Sequence, residues 1–334
     1  MGAGDEARSV AFPPARVRPA PSASIFLAMV FLILVWSLNY VVAKIGLREL
    51  PALALASFRL VAAGIVSLPV FFLSQTAQRQ ETKVILEASP RTKLRTLWVI
   101  TYLGFFNSVL NQGGYTVGLN YTSVSHSSLI IGCAPILILI FSWGLRLESV
   151  SRRKIAGMAL AFAGAAAVGA EQGGASGARL TGDVLTVLAG LGLALYTVFG
   201  KRLVGQASAL RLSLLSNIAG GVMALPVAVW QIQRLARDGR MHAVGLEGWG
   251  AVIYMGVLAS ALAYILYFWA LRYMTPARLG AVSYLQPIGA TLLGLLLLGE
   301  PISLRVAIGG LLVIAGVYAI ETHPRETQTE EELA

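Results

Sequence analysis

The stretch SIFLAMVFLILVWSLNYVV fills residues 24–42 and contains no charged side chain. A helix of about 20 such residues crosses the hydrocarbon core of a bilayer. Comparable runs follow at residues 54–73, 97–119, 129–145, 155–170, 184–199, 210–230, 252–271, 279–298 and 306–320, the second of them being more polar. Of the 334 residues, 56% are hydrophobic and 13% charged, and the mean hydropathy is +0.72. We therefore predict an all-α integral membrane protein with about ten transmembrane helices.

The net charge of +10 does not indicate nucleic-acid binding, because the basic residues cluster in short connections between apolar runs. If both termini are cytoplasmic, most of the 26 Lys and Arg residues fall on the cytoplasmic side of the membrane, as the positive-inside rule expects. Arg234, Arg237 and Arg240 fall on the outer side and oppose this bias. We expect a cell-membrane protein with the lipid bilayer as its partner. Residues 1–23 read as a disordered cytoplasmic tail and residues 322–334 as an acidic one.

Motifs of catalysis and of metal binding are missing from the sequence. The lone cysteine, Cys133, lies inside an apolar run with no Cys or His cluster around it. The sequence contains no H-E-x-x-H, no G-x-S-x-G and no pair of carboxylates inside an apolar run. We expect no cofactor, no metal and no enzymatic activity.

An internal repeat divides the chain. Residues 38–44 (LNYVVAK) match residues 195–201 (LYTVFGK) at an offset of 157, and residues 102–164 match residues 254–316 at an offset of 152. The repeats occupy residues 24–171 and 172–321, with five predicted helices each. Because five is odd, the second repeat must enter the membrane from the opposite side. Inverted repeats of this kind accompany alternating access in transporters.

These residues resemble the two EamA domains of the drug/metabolite transporter superfamily. The resemblance rests on FLILVWSLNYVVAKIGL at 31–47, FRLVAAG at 58–64, LALYTVFGKRL at 193–203 and SYLQPIGATLLGLLLLGEPISLRVAIGGLLVIAGVYAI at 283–320. It implies ten helices, cytoplasmic termini and transport, usually outward, of small metabolites such as amino acids. The expected function is therefore metabolite efflux, with amino acid export as the leading case. The alternative is a carrier of a nucleotide-linked sugar or a lipid-linked precursor.

Polar residues inside the apolar runs predict where a small-molecule substrate binds. Asn107, Asn111 and Tyr115 recur every four residues in the third run and would share one face of an α-helix, either to contact a solute or to bond neighbouring helices. Tyr264 and Tyr267 occupy the corresponding face of the eighth run. The remaining candidates are Trp36, Asn39, Tyr40, Tyr196 and Gln286, with Asn217 as a secondary one.

Two prolines and several glycines suggest further roles. Pro135 and Pro287 are equivalent in the two repeats and interrupt their helices, so we predict a gating role, with simple kinks as the alternative. Glycines in the fifth and tenth runs allow close helix approach, either within the chain or in a homodimer through helices 5 and 10.

Charged residues inside the apolar runs are scarce. Glu148, Glu300 and Asp183 lie at the ends of runs, which argues against a carboxylate proton relay and favours a facilitator or exchanger of neutral or zwitterionic solutes. We expect Arg59 to snorkel to the membrane interface, and the alternative is that it pairs with a substrate carboxylate.

Overall fold

The computed structural model describes residues 22–74, 90–121, 127, 130–132, 134–148, 150–171, 180–204, 208–286, 288–289, 293 and 304–321. Pro287, Cys133, Glu300 and both terminal tails lie outside the described residues, apart from residues 22–23. Within the described part every regular element is helical. In the described ranges, five helices are long and apolar enough to cross a membrane, and two shorter ones, Ala134–Gly144 and Ala307–Ile320, are also apolar. The predicted all-α membrane fold is confirmed.

Helices α1 to α10 follow one another along the chain. The first five are α1 (Ser22–Glu49), α2 (Ala52–Ser74), α3 (Pro90–Gly104, Phe105–Gly113 and Gly114–Tyr121), α4 (Ala134–Gly144) and α5 (Arg152–Glu171). The others are α6 (Leu180–Val204), α7 (Ala209–Arg237), α8 (Leu246–Ile253, Tyr254–Leu262 and Ala263–Leu271), α9 (Pro276–Gly280, continued as a 3-10 helix over Ala281–Leu285) and α10 (Leu304–Glu321). Pro135 is the second residue of α4, so it begins the described helix rather than interrupting it.

Helices α3 and α8 share an unusual feature, a π-helical segment in the middle of each. The segments run over Phe105–Gly113 in α3 and Tyr254–Leu262 in α8. A π-helix bonds each N–H to a carbonyl five residues away, so its side chains fan out at a different pitch from those of an α-helix. Long π segments are rare, and short ones occur frequently at functional sites. Their presence in the equivalent helix of both repeats makes this helix pair the first place to look for a site.

The repeats meet through equivalent glycines. A Cβ added to Gly64 of α2 would lie 3.2 Å from Cα of Gly221 in α7, its equivalent at the offset of 157. The same Cβ would lie 3.3 Å from the Asn217 carbonyl oxygen, and one added to Gly221 would lie 3.1 Å from that of Leu60. Asn217 is the equivalent of Leu60. Such reciprocal contacts indicate a local two-fold axis.

Helices α5 and α10 cross in the same way. Gly157 faces the Gly316 carbonyl and Gly164 faces that of Gly309, at 2.9 and 2.5 Å from the added Cβ atoms. Since the equivalents are Gly157 with Gly309 and Gly164 with Gly316, this crossed pairing requires antiparallel helices. It confirms the predicted inverted repeats. The glycine faces of α5 and α10 pack within the chain, and a homodimer through these helices stays a prediction.

Two equivalent lysines cap the ends of the π-containing helices. Lys44 Nζ donates to the carbonyl of Leu119 in α3 at 3.0 Å. Lys201 Nζ donates to the carbonyls of Leu271, at the end of α8, and Met274, each at 2.8 Å. The last carbonyls of a helix lack partners within it, and a cation also suits the negative end of the helix dipole. Each of these lysines is the last residue of its matched segment, LNYVVAK or LYTVFGK. Each therefore anchors the third helix of its own repeat, which is α3 for Lys44 and α8 for Lys201.

Replacing Lys201 by methionine is expected to destabilise the protein by about 2 kcal/mol, because hydrogen bonds to charged groups contribute about 1.5–3 kcal/mol. The measurement is thermal unfolding of the purified full chain in detergent. Arg202→Met is the matched control, since the neighbouring Arg202 side chain is exposed. Equal unfolding temperatures for the two variants would contradict the capping role.

Candidate functional site

A cavity of about 60 Å³ lies in the middle of the bundle and is walled by both repeats. Its lining combines amides, aromatic rings, one cation and a few small or aliphatic side chains. The lining residues are Trp36, Asn39, Tyr40, Arg59, Asn111, Gln112, Tyr115, Ile131, Leu193, Ala259, Tyr264 and Gln286. None of these described lining residues is an Asp or a Glu. The cavity is well below the roughly 300 Å³ at the small end of ligand pockets, so it fits a small polar group and must enlarge for a whole metabolite.

The two repeats contribute equivalent positions to the cavity. Trp36 of α1 is the equivalent of Leu193 of α6, and Gln112 of α3 is the equivalent of Tyr264 of α8; all four line it. The cavity therefore lies on or beside the local two-fold axis. Its chemistry is asymmetric, because an amide in one repeat stands opposite a phenol in the other.

Helix α1 is fixed against α8 and α9 by four hydrogen bonds. Trp36 Nε1 donates to the Ala259 carbonyl at 3.2 Å, in the π segment of α8, and Ser37 Oγ donates to the Gln286 carbonyl at 3.1 Å. The Tyr40 hydroxyl donates to Gln286 Oε1 at 3.4 Å. Farther along, the Tyr254 hydroxyl donates to the Val35 carbonyl at 2.9 Å. These bonds hold one wall of the cavity in place through its predicted site residues.

The π segment of α3 provides the facing wall. Asn111 Nδ2 donates to the Tyr264 hydroxyl at 2.6 Å, which joins α3 to α8 across the site. The Trp36 ring lies 5.5 Å from that of Tyr264, and the Tyr40 ring meets Tyr115 edge to face at 5.5 Å, between ring centroids. Aromatic pairs at this spacing are favourable and hold the rings in place. The structure thus brings together seven of the predicted residues: Trp36, Asn39, Tyr40, Asn111, Tyr115, Tyr264 and Gln286.

Three other predicted residues lie outside the cavity lining. Asn107 Nδ2 donates to Asn217 Oδ1 at 3.4 Å, the Tyr196 hydroxyl lies 3.2 Å from Ser216 Oγ, and the Tyr267 hydroxyl lies 2.8 Å from Thr197 Oγ1. Each is buried between helices and bonded to a neighbouring helix. Their part in substrate binding stays a prediction.

Pro135 is also buried and lies beside the site. A Cβ added to Gly280 of α9 would lie 3.6 Å from the Pro135 Cα, so this proline packs α4 against α9. Ile131, whose carbonyl a proline at position 135 cannot bond, lines the cavity. The gating role of Pro135 and Pro287 stays a prediction, and Pro287 falls outside the described residues.

Arg59 is where the structure departs most from expectation. Its side chain is 2% exposed and lines the cavity, so the expectation that it snorkels to the interface was wrong. Nη1 donates to Thr116 Oγ1 at 3.1 Å, and Nη2 donates to Gln112 Oε1 at 3.3 Å and to Ser260 Oγ at 2.9 Å. All three partners are neutral. Among the described residues, no carboxylate forms an ion pair with this guanidinium.

Sequence reasoning also missed Ile131, Leu193 and Ala259 as lining residues. Leu193 could have been found through the repeat, because it is the equivalent of the predicted Trp36. Ala259 is the equivalent of Asn107, but Ala259 lines the cavity and Asn107 does not. Nothing in the sequence signals Ile131 or Ala259 beyond their apolar surroundings.

Comparison of the sequence with known proteins indicates a family of transporters. The model of the EamA-like transporter family matches residues 23–170 and again residues 180–322. An uncharacterized transporter of Archaeoglobus fulgidus is 25% identical over 285 residues, which cover 85% of this chain and 94% of the relative. The uncharacterized inner membrane transporter YedA of Escherichia coli is 25% identical over 280 residues, or 84% of each chain.

One solved structure, a crystal structure of a protein, resembles this chain with a TM-score of 0.67 over 90% of this chain and 98% of the other. The two sequences are 19% identical. At that identity the likeness concerns the fold alone.

Proposed function

The chain belongs to the EamA-like transporter family, and from this premise we propose that it moves small neutral or zwitterionic metabolites, such as amino acids, by alternating access between its inverted repeats. We propose an exporter or exchanger in the cell membrane, with both termini cytoplasmic, and not an enzyme. That it is a multi-pass membrane transporter follows from the family, the apolar helices and the relatives named as transporters.

The observation that carries the proposal is the cavity between the repeats. Equivalent positions of both repeats line it, as Trp36 with Leu193 and Gln112 with Tyr264 do. In an inverted-repeat carrier the substrate site lies at such a repeat interface near the bilayer midplane. A rocking of one repeat against the other then exposes the same site to each side in turn.

The chemistry of the lining supports a small, weakly charged cargo. Amides of Asn39, Asn111 and Gln286 offer both donors and acceptors, while the rings of Trp36 and Tyr40 offer faces to an ammonium or an apolar group. A nucleotide-linked sugar or lipid-linked precursor carries several phosphate charges and calls for several basic residues. The part of the lining that the structure describes contains one basic residue, Arg59, which favours the smaller cargo over this alternative.

The test is counterflow of labelled amino acids and small metabolites into proteoliposomes loaded with unlabelled solute. Trans-stimulated uptake of at least one solute is the expected result. If no solute of a broad panel moves with any imposed gradient, the proposed cargo class is wrong and lipid-linked precursors become the next substrates to test.

Asn111→Ala is expected to lower counterflow about tenfold at substrate concentrations below KM, because one hydrogen bond of about 1.4 kcal/mol corresponds to a tenfold change. Asn120→Ala is the matched control, since Asn120 lies at the exposed end of the same helix. Retention of full counterflow by Asn111→Ala would remove the central cavity from the transport route.

A further inference from the structure

The inference concerns the unpaired cation in the cavity and rests on the proposed function. Arg59 is almost completely buried, lines the cavity, and has only neutral hydrogen-bond partners among the described residues. A buried charge without a counterion is expensive in a membrane protein and marks a functional site by default. A ligand that carries negative charge would compensate the guanidinium.

The donors around Arg59 are incompletely used. Arg59 Nε and Gln112 Nε2 are buried and have no hydrogen-bond partner among the described residues. Both belong to residues that line the same cavity. Two free donors beside a cation match a ligand that accepts hydrogen bonds and carries negative charge. A carboxylate does both, since when ionised it is acceptor-only and pairs well with a guanidinium.

The repeat symmetry limits the ligand to one anionic group. The equivalent of Arg59 in the second repeat is Ser216, whose Oγ lies 3.2 Å from the Tyr196 hydroxyl. No second cation is among the described residues that line the cavity. The cavity volume of about 60 Å³ exceeds the roughly 10–15 Å³ that a cavity needs to hold one water molecule, so it admits a carboxylate group.

The two π segments hold the guanidinium at this place. Gln112 lies in the π segment of α3 and Ser260 in that of α8. Ser260 Oγ also donates to the carbonyl of Met255, five residues earlier, at 2.6 Å. Thr116 Oγ1 donates to the Gln112 carbonyl at 2.8 Å. Both hydroxyls therefore donate into their own helix and present lone pairs to Arg59, which fixes its position while leaving its charge uncompensated.

We propose that Arg59 is the counterion of a substrate carboxylate, and that the transporter therefore selects solutes with one carboxylate, such as amino acids, over their uncharged or amide analogues. The Arg59 carboxylate site distinguishes zwitterions from purely cationic amines of the same shape. It narrows the proposed cargo from neutral or zwitterionic solutes to carboxylate-bearing ones.

The decisive experiment uses a pair of probes of equal shape, sodium acetate and acetamide, with sodium chloride as the ionic control. In the detergent-solubilised full chain, acetate is expected to raise the unfolding temperature, whereas acetamide and chloride are not. The shift is expected to vanish in Arg59→Gln and to survive in part in Arg59→Lys, which keeps the charge but loses the planar fork. Equal shifts from acetate and acetamide, equal shifts from acetate and chloride, or an unchanged acetate shift in Arg59→Gln would overturn the proposal.

A second variant guards against misfolding of Arg59→Gln. Gln112→Leu removes the free amide donor beside the guanidinium and keeps the charge, and it is expected to raise the acetate concentration needed for half of the shift about tenfold. An unchanged half-shift concentration in this variant would count against the site.

Counterflow separates this proposal from the proposed function. If an amino acid and its amide exchange equally well, the transport function is supported and the Arg59 carboxylate site is contradicted. If acetate stabilises the protein through Arg59 but no amino acid is transported, the anion site is supported and amino acid transport is contradicted.

Discussion

Gly316→Ala is expected to leave little folded protein after solubilisation, although it adds a single methyl group. The added Cβ would lie 2.5 Å from both the Gly157 carbonyl oxygen and the Ala161 amide nitrogen of α5. These are backbone atoms, so no side chain can rotate away, and α10 must separate from α5. Overpacking of this kind costs about 1–3 kcal/mol and sometimes more, and here the whole α5 and α10 contact is affected. Fluorescence-detected size exclusion and the unfolding temperature measure the effect.

The matched control lies on the same helix. Gly310→Ala adds the same methyl group where the nearest atom is 4.0 Å away, the Cδ1 of Ile288. We expect it to keep the wild-type elution profile and unfolding temperature. Comparable losses in both variants would show that helix α10 does not tolerate alanine for reasons other than this crossing.

Arg59→Met is expected to lower transport strongly and to stabilise the substrate-free protein. Removing a buried, unpaired charge relieves a penalty of several kcal/mol, and methionine fills much of the vacated volume. Thr116 and Ser260 keep hydrogen bonds of their own, to the carbonyls of Gln112 and Met255, and of the three partners the Gln112 side-chain oxygen alone loses its donor. Loss of a buried partner in a charge pair costs about 2–5 kcal/mol of binding, so counterflow of an amino acid should fall about a hundredfold.

The two expected effects of Arg59→Met have opposite signs, since transport decreases while the unfolding temperature of the substrate-free protein increases. Arg202→Met, at an exposed arginine, should change neither transport nor the unfolding temperature measured without substrate. If Arg59→Met lowers the unfolding temperature instead, the guanidinium serves mainly to join α2 to α3 and α8. The proposed ligand-binding role would then lose its energetic argument.

The helices and the inverted repeats were predictable because both leave a one-dimensional signal. Apolar runs such as residues 24–42 define spans, and matched pairs such as Gly64 with Gly221 define the repeat. The structure turns those matches into contacts between equivalent glycines. The pairing of α2 with α7 brings equivalent residues of the two repeats together.

The candidate site was predictable only in part, because two of its walls, from α3 and α8, contain π-helical segments. Asn107 and Asn111 are four residues apart and would share one face of an α-helix. Both lie in the π segment of α3, where they diverge: Asn107 bonds Asn217 of α7, while Asn111 bonds Tyr264 of α8. Nothing in the residues FFNSVLNQG indicates a π-helix, so the sequence could not separate the two amides.

Arg59 was misplaced for a different reason. The apolar run that contains Arg59 begins close to a predicted loop, and a long cationic side chain near a helix end usually reaches the membrane interface. In the structure α2 starts at Ala52, which places Arg59 about 10 Å along the helix at 1.5 Å per residue. The neutral partners that receive it come from α3 and α8, and such long-range neighbours leave no local pattern.

The two lysine caps are equivalent in position and unequal in strength. Among the described residues, Lys44 holds one carbonyl, at 3.0 Å, and Lys201 holds two, at 2.8 Å each. Each cap joins two helices of the same repeat, so it fixes the shape of that repeat and not the contact between the two repeats. One further charge-assisted hydrogen bond contributes about 1.5 kcal/mol. The second repeat is therefore expected to hold α6 against α8 more firmly than the first repeat holds α1 against α3.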